Sequence, residues 1–359
     1  MPTNPAASES DMRLLNYSDA IAEALHQEME RDEKVFVFGL DVDDHKAIQG
    51  STAGLVDKFG PMRVFGTPLS EDAMTGMAIG AAMMGMRPVH VHIRMDFLML
   101  CMNQLVNMAA KAPYMWGGQV NVPMVVRSTI GKSWGQGPQH SQSLYSMFMH
   151  VPGLKVVAPS NAHDAKGLLI ASIRDNNPVM FVEHRMLYFT EAYVPEQPYE
   201  IELGKARVVA EGSDITIVGV SHMVLESLRA KELLQEQGIS AEIIDPVTLM
   251  PLDRTTIAKS VAKTGRLLVV DNAWTACGAS AEIIAGIAEN PDMGGAQMQR
   301  MGFAPTTCPT TPTLEKEFYP NPVTISSTAH SMVRPDAPAW APSEEHAILA
   351  HQLQFRGPF

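Results

Sequence analysis

The chain has little of what builds secreted, metal-stapled or nucleic-acid-binding folds. Cysteine occurs three times in 359 residues, at Cys101, Cys277 and Cys308. So few, odd in number and widely spaced, they support neither a disulfide framework nor a zinc knuckle and fit a reducing compartment. Positive charge is scarce: 27 Lys and Arg against 39 Asp and Glu give a net charge of -12. With no long Lys/Arg run, nucleic acid and anionic membranes are disfavoured as partners. No apolar stretch reaches membrane-spanning length without interruption; the most apolar candidate, Met102 to Ala110, is broken by Asn103, Gln104 and Asn107. The N-terminal stretch Met1 to Asp11 is polar and acidic, with neither an apolar core nor an arginine-rich presequence, so a cytoplasmic protein is expected. Phosphate-binding signatures also fail. Gly131-Lys132-Ser133 ends like a P-loop, but the required first glycine is Val126. Gly76, Gly80 and Gly85 lack the GxGxxG spacing, and Gly-Asp-Gly occurs nowhere.

What is present is a well-buried globular composition. Apolar residues at 46% against charged residues at 18% suit two or three domains rather than one core. Short apolar strands alternate with helices from about residue 17 to about 300. The pattern predicts helices over 18–31, 73–86, 96–112, 141–150 and 162–174, with strands over 35–38, 63–65, 88–93, 122–127, 155–158 and 179–182. It repeats more briefly over 214–289. Such strands predict parallel sheets covered on both faces, an α/β class. The expected layout is a disordered 1–11, an α/β domain over 12–188, a proline-bearing linker over 189–203, a second α/β domain over 204–325 and a Pro-rich tail over 326–359. That tail is expected to wrap over a neighbour or to be mobile. The 25 methionines read as adaptable core filler.

Three segments carry candidate chemistry. In Gly66-Thr67-Pro68-Leu69-Ser70-Glu71-Asp72 a strand gives way to a helix rich in Gly and Ala, placing Glu71 in its first turn. There the dipole favours an ionised carboxylate, although Ser70 and Glu71 also suit an ordinary helix start. Met95-Asp96-Phe97 places an aromatic at the start of the next helix, where a core phenylalanine is the plain alternative. Gly135-Gln136-Gly137-Pro138-Gln139-His140-Ser141-Gln142 holds His140 in a glycine-flanked loop suited to reaching into a cleft. His90 and His92 share one face of a strand, a pair that lacks the third ligand a metal site needs.

Together these segments resemble the β chain of the thiamine-diphosphate-dependent E1 component of 2-oxoacid dehydrogenases, of the transketolase-like superfamily. The resemblance runs over roughly residues 12–325. It includes Asn103-Gln104-Leu105-Val106-Asn107-Met108-Ala109-Ala110-Lys111, Pro152-Gly153-Leu154-Lys155-Val156-Val157, Arg174-Asp175-Asn176-Asn177-Pro178 and Asp271-Asn272. It implies a pyrimidine-binding domain followed by a transketolase C-terminal domain. Glu71 would bond N1' of the cofactor's pyrimidine, Phe97 would stack on that ring, and Leu69 and Ile93 would line it. His140 would contact the substrate carboxylate or the enamine and help acyl transfer. The main chain of Ser172, Ile173, Asp175 and Asn177 would hold K+, as in several relatives. Because Gly-Asp-Gly is missing, the diphosphate and Mg2+ would be held by a separate α chain. The implied assembly is an α2β2 heterotetramer with the cofactor between subunits and a lipoyl-bearing E2 as further partner. The alternative is a two-component transketolase-like or acyloin-forming enzyme with an aldehyde or sugar acceptor.

The chain also departs from that family. Leu40 stands where most members have a glutamate. Val89-His90-Val91-His92-Ile93-Arg94 replaces a strand usually bearing a glutamate and a glutamine. Trp134 and Gln136 are atypical of pyruvate-specific chains. Leu40, His90, His92, Arg94, Trp134 and Gln142 are therefore expected around the substrate, with Arg94 suited to a carboxylate or phosphate.

Overall fold

The computed structural model describes residues 12–44, 46, 48–132 and 135–356. The first unit runs β1 (Met12–Asn16), α1 (Tyr17–Arg31), β2 (Val35–Gly39), α2 (Leu55–Phe59), β3 (Val64–Gly66), α3 (Glu71–Met83) and β4 (Arg87–His92). It continues through α4 (Ala112–Met115), β5 (Val125–Ile130), α5 (Tyr145–Met149), β6 (Lys155–Val157), α6 (Ala162–Arg174), β7 (Val179–His184) and β8 (Glu191–Pro195). The second holds β9 (Arg207–Ala210), β10 (Ile215–Gly219), α7 (His222–Gln235), β11 (Ala241–Asp245), β12 (Thr248–Met250), α8 (Arg254–Thr264), β13 (Arg266–Trp274), α9 (Ala279–Ala288) and β14 (Gln297–Phe303). Helices α10 (Pro312–Phe318), α11 (Pro322–Val333) and α12 (Glu344–Gln352) follow.

The main sheet has the order β12-β6-β7-β5-β4-β2-β3 and the second β14-β13-β10-β11-β9. Strands β2 to β7 pair in parallel, as the unbroken burial of β2, β5 and β7 requires of a sheet covered on both faces. Edge strand β12 comes from the second unit and pairs antiparallel with β6, so one sheet joins both halves of the chain. The Tyr145 hydroxyl donates to buried Asp271, a second tie between the units. Helix α1 starts at an Asn16 cap, whose side chain accepts from the Asp19 N–H at 2.9 Å, and packs its apolar face on α6.

Several boundaries differ from the sequence expectation. The single helix expected over 96–112 is broken into a tight 3-10 run (Met95–Cys101) and a wide π turn (Gln104–Ala109), closed by Ala110 N–H to Leu105 O at 3.0 Å, before α4. Periodicity does not distinguish these windings from a regular helix. The helix expected over 141–150 shrinks to α5. Part of the expected linker is strand: β8 pairs with β1, Met12 opposite Pro195. The tail returns to its own chain. Helix α12 packs on α7, His346 Nδ1 lies 2.7 Å from a Glu236 carboxylate oxygen, and the Tyr193 N–H donates to the Arg356 carbonyl. Among the described residues no helix is long and apolar enough to cross a membrane.

Candidate active site

In the main sheet the chain leaves β2 for its neighbour β3 on one side and then crosses to β4 on the other. Such a reversal opens a crevice beyond the carboxyl ends of the strands, where α/β folds bind ligands. A cleft of about 430 Å³ lies there, lined by Leu40 after β2, Thr67, Pro68 and Leu69 after β3, Ile93 and Arg94 after β4, and Glu71, Phe97 and Leu100 from the following turns. Gly39 makes the close approach possible. Its φ is +154°, and a Cβ there would lie 2.2 Å from the Val91 carbonyl oxygen.

Glu71 is the first residue of α3, half-buried, and among the described residues its carboxylate makes no hydrogen bond or ion pair. It therefore faces the cleft with its acceptors free. Phe97 sits on the 3-10 turn, half-buried in the cleft wall. His140 meets it edge-on, ring centroids 5.6 Å apart at 75°. The loop bearing His140 is held from below: a Cβ on Gly135 would lie 2.4 Å from the Thr310 carbonyl, and one on Gly137 2.5 Å from the Thr310 methyl. Thr310 of the second unit thus packs directly against this loop.

His90 and His92 are buried in the cleft floor. His90 stacks on Phe38 across the β2–β4 register (centroids 4.4 Å, 6°). Its Nδ1 lies 3.3 Å from Thr75 Oγ1 and 3.2 Å from His92 Nε2. Burial pulls the His90 imidazole well below its usual range, and pulls His92 down to about 4. Both are neutral at neutral pH.

Other expected residues are placed differently. Gln142 does not line the cleft; its backbone N–H (3.2 Å) and its amide (2.9 Å) both donate to Asp96 Oδ1, tying the His140 loop to the turn that carries Phe97. Trp134 lies outside the described residues. The carbonyls of Ile173 and Asp175 accept from Arg87 Nη1 at 2.9 and 3.0 Å. A K+ bound there would share them with that guanidinium. Among the described residues no group of three or more His, Cys, Asp or Glu could hold a metal.

Two residues escaped the sequence reading. Asp96 is nearly buried, with Oδ2 unpartnered. Arg185, just after β7, is also buried; its Nη1 donates to the His140 carbonyl at 3.1 Å and to Gln136 Oε1. Only tertiary contact distinguishes it from any arginine near a strand end. The Gly-x-Ser-x-Gly signature, expected to be absent, does occur, as Gly131-Lys132-Ser133-Trp134-Gly135. A hydrolase elbow needs a strand running straight into a helix, whereas β5 ends at Ile130 and α5 starts only at Tyr145.

Two linked parallel-sheet units, with a free carboxylate at a helix start and an aromatic wall at a sheet switch point, define a transketolase-like chain. The comparisons agree. Residues 13–190 match the family "Transketolase, pyrimidine binding domain" and residues 204–325 "Transketolase, C-terminal domain". The β subunit of acetoin:2,6-dichlorophenolindophenol oxidoreductase from Bacillus subtilis is 42% identical over 328 residues, 88% of this chain and 96% of that one. The mitochondrial pyruvate dehydrogenase E1 subunit beta-1 of Arabidopsis thaliana is 41% identical over 307 residues, 84% of this chain and 85% of its own. A solved split-gene transketolase superposes with a TM-score of 0.75 at 18% identity, covering 89% of this chain and 98% of that structure. The chain belongs to the E1β family of 2-oxoacid dehydrogenases and acetoin oxidoreductases, and is the β subunit of an enzyme of that type.

Proposed function

We propose that this chain forms the pyrimidine-binding half of a thiamine diphosphate site in an α2β2 enzyme that decarboxylates a 2-oxoacid and passes the acyl group to a lipoyl-bearing E2. The observation that carries this reading is the free Glu71 carboxylate in one cleft with Phe97. The residues fit one end of the cofactor only. The cleft offers a carboxylate and a flat ring, but neither its lining nor the sequence supplies the Gly-Asp-Gly segment that holds Mg2+ and a diphosphate. Those groups are assigned to the α chain. When bound, the cofactor supplies a thiazolium carbanion that adds to the 2-oxo carbon.

Glu71 would share a proton with a ring nitrogen at its Oε atoms and so favour the basic tautomer of the ring. Phe97 would orient that ring by stacking, and the apolar wall of Leu69, Met74, Ile93 and Leu100 would exclude water. His140, held against Phe97, would meet the substrate carboxylate at the rim and hold or deliver a proton through its imidazole. The neutral His90 and His92 would add polarity to the floor without adding charge. Leu69 (76% exposed) and Leu100 (60%) line the cleft while facing solvent. Exposed apolar side chains at the mouth of a half-built site suit the α chain.

Co-expression with the α chain tests the reading. Glu71→Gln should lower 2-oxoacid turnover by roughly 10²- to 10⁴-fold and weaken cofactor binding while α2β2 assembly persists. Turnover within about tenfold of the parent would refute the assignment. Arg94 in the cleft wall favours the second reading, an aldehyde or sugar acceptor. Reductive acylation of a lipoyl domain, absent with aldehydes, separates the two.

A further inference from the structure

Beyond Ile93 and Arg94 the cleft wall meets a second, smaller cavity of about 90 Å³. It is lined by Ile48, Gln49, Ile93, Arg94, Thr129, Gln136, Arg185 and Tyr188. None of these is a carboxylate. Two guanidiniums converge there on one neutral acceptor: Arg94 Nε lies 3.4 Å from Gln136 Oε1, and Arg185 Nη1 donates to the same oxygen. Among the described residues the partners of these two arginines are neutral oxygens, of Gln136 and of the His140 carbonyl. Asp96 is a counter-charge that acts on Arg185. It helps hold Arg185 charged, but its Oδ1 is engaged by Gln142. Two positive charges against one negative leave this pocket net cationic. Burial, then the proximity of Arg94, brings the Arg185 guanidinium down to about 10, so it stays charged at neutral pH.

Holding buried Arg185 beside half-buried Arg94 is costly unless an anion joins them. A single amide oxygen is a poor partner for two planar forks, each shaped for two oxygens. The cavity is large enough to admit a group the size of a carboxylate or phosphate. It shares Ile93 and Arg94 with the cleft that holds Glu71 and Phe97.

We infer that Arg94 and Arg185 form a subsite for a second anionic group on the substrate, a carboxylate or phosphate at the end remote from the reacting 2-oxo carbon, which displaces Gln136 Oε1 from between them. The inference rests on the proposed reading of the cleft as the decarboxylation site, and it deepens that reading to 2-oxoacids with a charged tail. Leu40 and the neutral histidines leave Arg94 as the charged group at the cleft's inner edge.

The assembled enzyme with thiamine diphosphate and Mg2+ is assayed with ferricyanide as oxidant on matched donors: 2-oxoadipate against 2-oxohexanoate, and phosphohydroxypyruvate against hydroxypyruvate. Glutarate and inorganic phosphate are titrated separately by calorimetry. The charged donor of at least one pair is expected to have the higher kcat/KM. The corresponding anion should bind and compete with it. Arg94→Gln and Arg185→Met should each lower the charged-to-neutral kcat/KM ratio by roughly 10- to 100-fold, with Arg185→Lys between. Arg94→Gln serves if Arg185→Met fails to fold. Preference for glutarate or for phosphate assigns the tail. Neutral donors favoured in both pairs, with neither anion binding, overturns the subsite and leaves the decarboxylase reading standing. Anion binding lost in the arginine variants, with no 2-oxoacid consumed, keeps the subsite and refutes the decarboxylase reading.

Discussion

Replacing Arg127 tests whether the frame behind the cleft depends on one buried ion pair. Arg127 on β5 and Glu183 on β7 are each 1% exposed at the side chain. The guanidinium grips the carboxylate with two bonds, Nε to Oε1 at 2.6 Å and Nη2 to Oε2 at 2.9 Å, and donates to Ser51 Oγ at 2.8 Å. The Tyr188 hydroxyl adds a bond to Glu183 at 2.7 Å, so the pair also fixes a wall of the arginine-lined cavity. Arg127→Met leaves a buried carboxylate with one hydroxyl donor in place of three charge-assisted contacts. Breaking such a pair from one side costs about 3–5 kcal/mol. At roughly 2–4 °C per kcal/mol for a unit of this size, the unfolding midpoint should fall by about 6–20 °C. Removing both charges, Arg127→Met with Glu183→Leu, removes the stranded carboxylate as well. The double variant should lose no more than about 2 kcal/mol, mostly from the bond the Tyr188 hydroxyl made to Glu183, since Thr129 Oγ1 remains 3.2 Å from that hydroxyl. Urea unfolding at fixed protein concentration measures both, since partner binding adds to apparent stability. A single variant costing under about 1 kcal/mol, or a double variant at least as unstable as the single, would refute the reasoning.

Two further outcomes follow from the cleft. The His92 imidazole is held near 4 in the folded chain against 6.5 when exposed, so the unfolded state binds more protons between those values. Stability should be full above about pH 6.5 and fall as pH drops toward 4, by on the order of 3 kcal/mol from this group. His92→Phe should flatten the slope of stability against pH over that window, and an unchanged slope would contradict the burial argument. Gly39→Ala meets both a left-handed φ and the Val91 carbonyl. It should cost at least about 2 kcal/mol and misplace β2 against β4, and a parental unfolding midpoint would show that the strand ends can separate freely.

Most of the α/β architecture was legible because it depends on short-range pattern. The strands at 35–39, 125–130 and 179–184 are buried end to end, and a parallel sheet leaves no solvent face to interrupt the apolar stretches that mark them. The strand-to-helix turn at Gly66–Asp72 located Glu71 within its first helical turn for the same reason. The helix expected over 96–112 was misread, because 3-10 and π winding share the apolar spacing of an α-helix. Gln142 was expected around the substrate, and the fold turns its amide onto Asp96.

The sequence by itself thus determined the class of fold and the place of Glu71 at a helix start. Each of these resides in consecutive residues whose chemistry does not depend on distant neighbours. Which groups meet was decided only by tertiary structure. Arg94 and Arg185 are 91 positions apart in the chain, Arg127 and Glu183 are 56, and Thr310 reaches Gly135 from the other unit. Parallel strands are joined through crossover helices, so neighbours across the sheet are remote in sequence. Their partnership is set by strand order and register rather than by any local pattern.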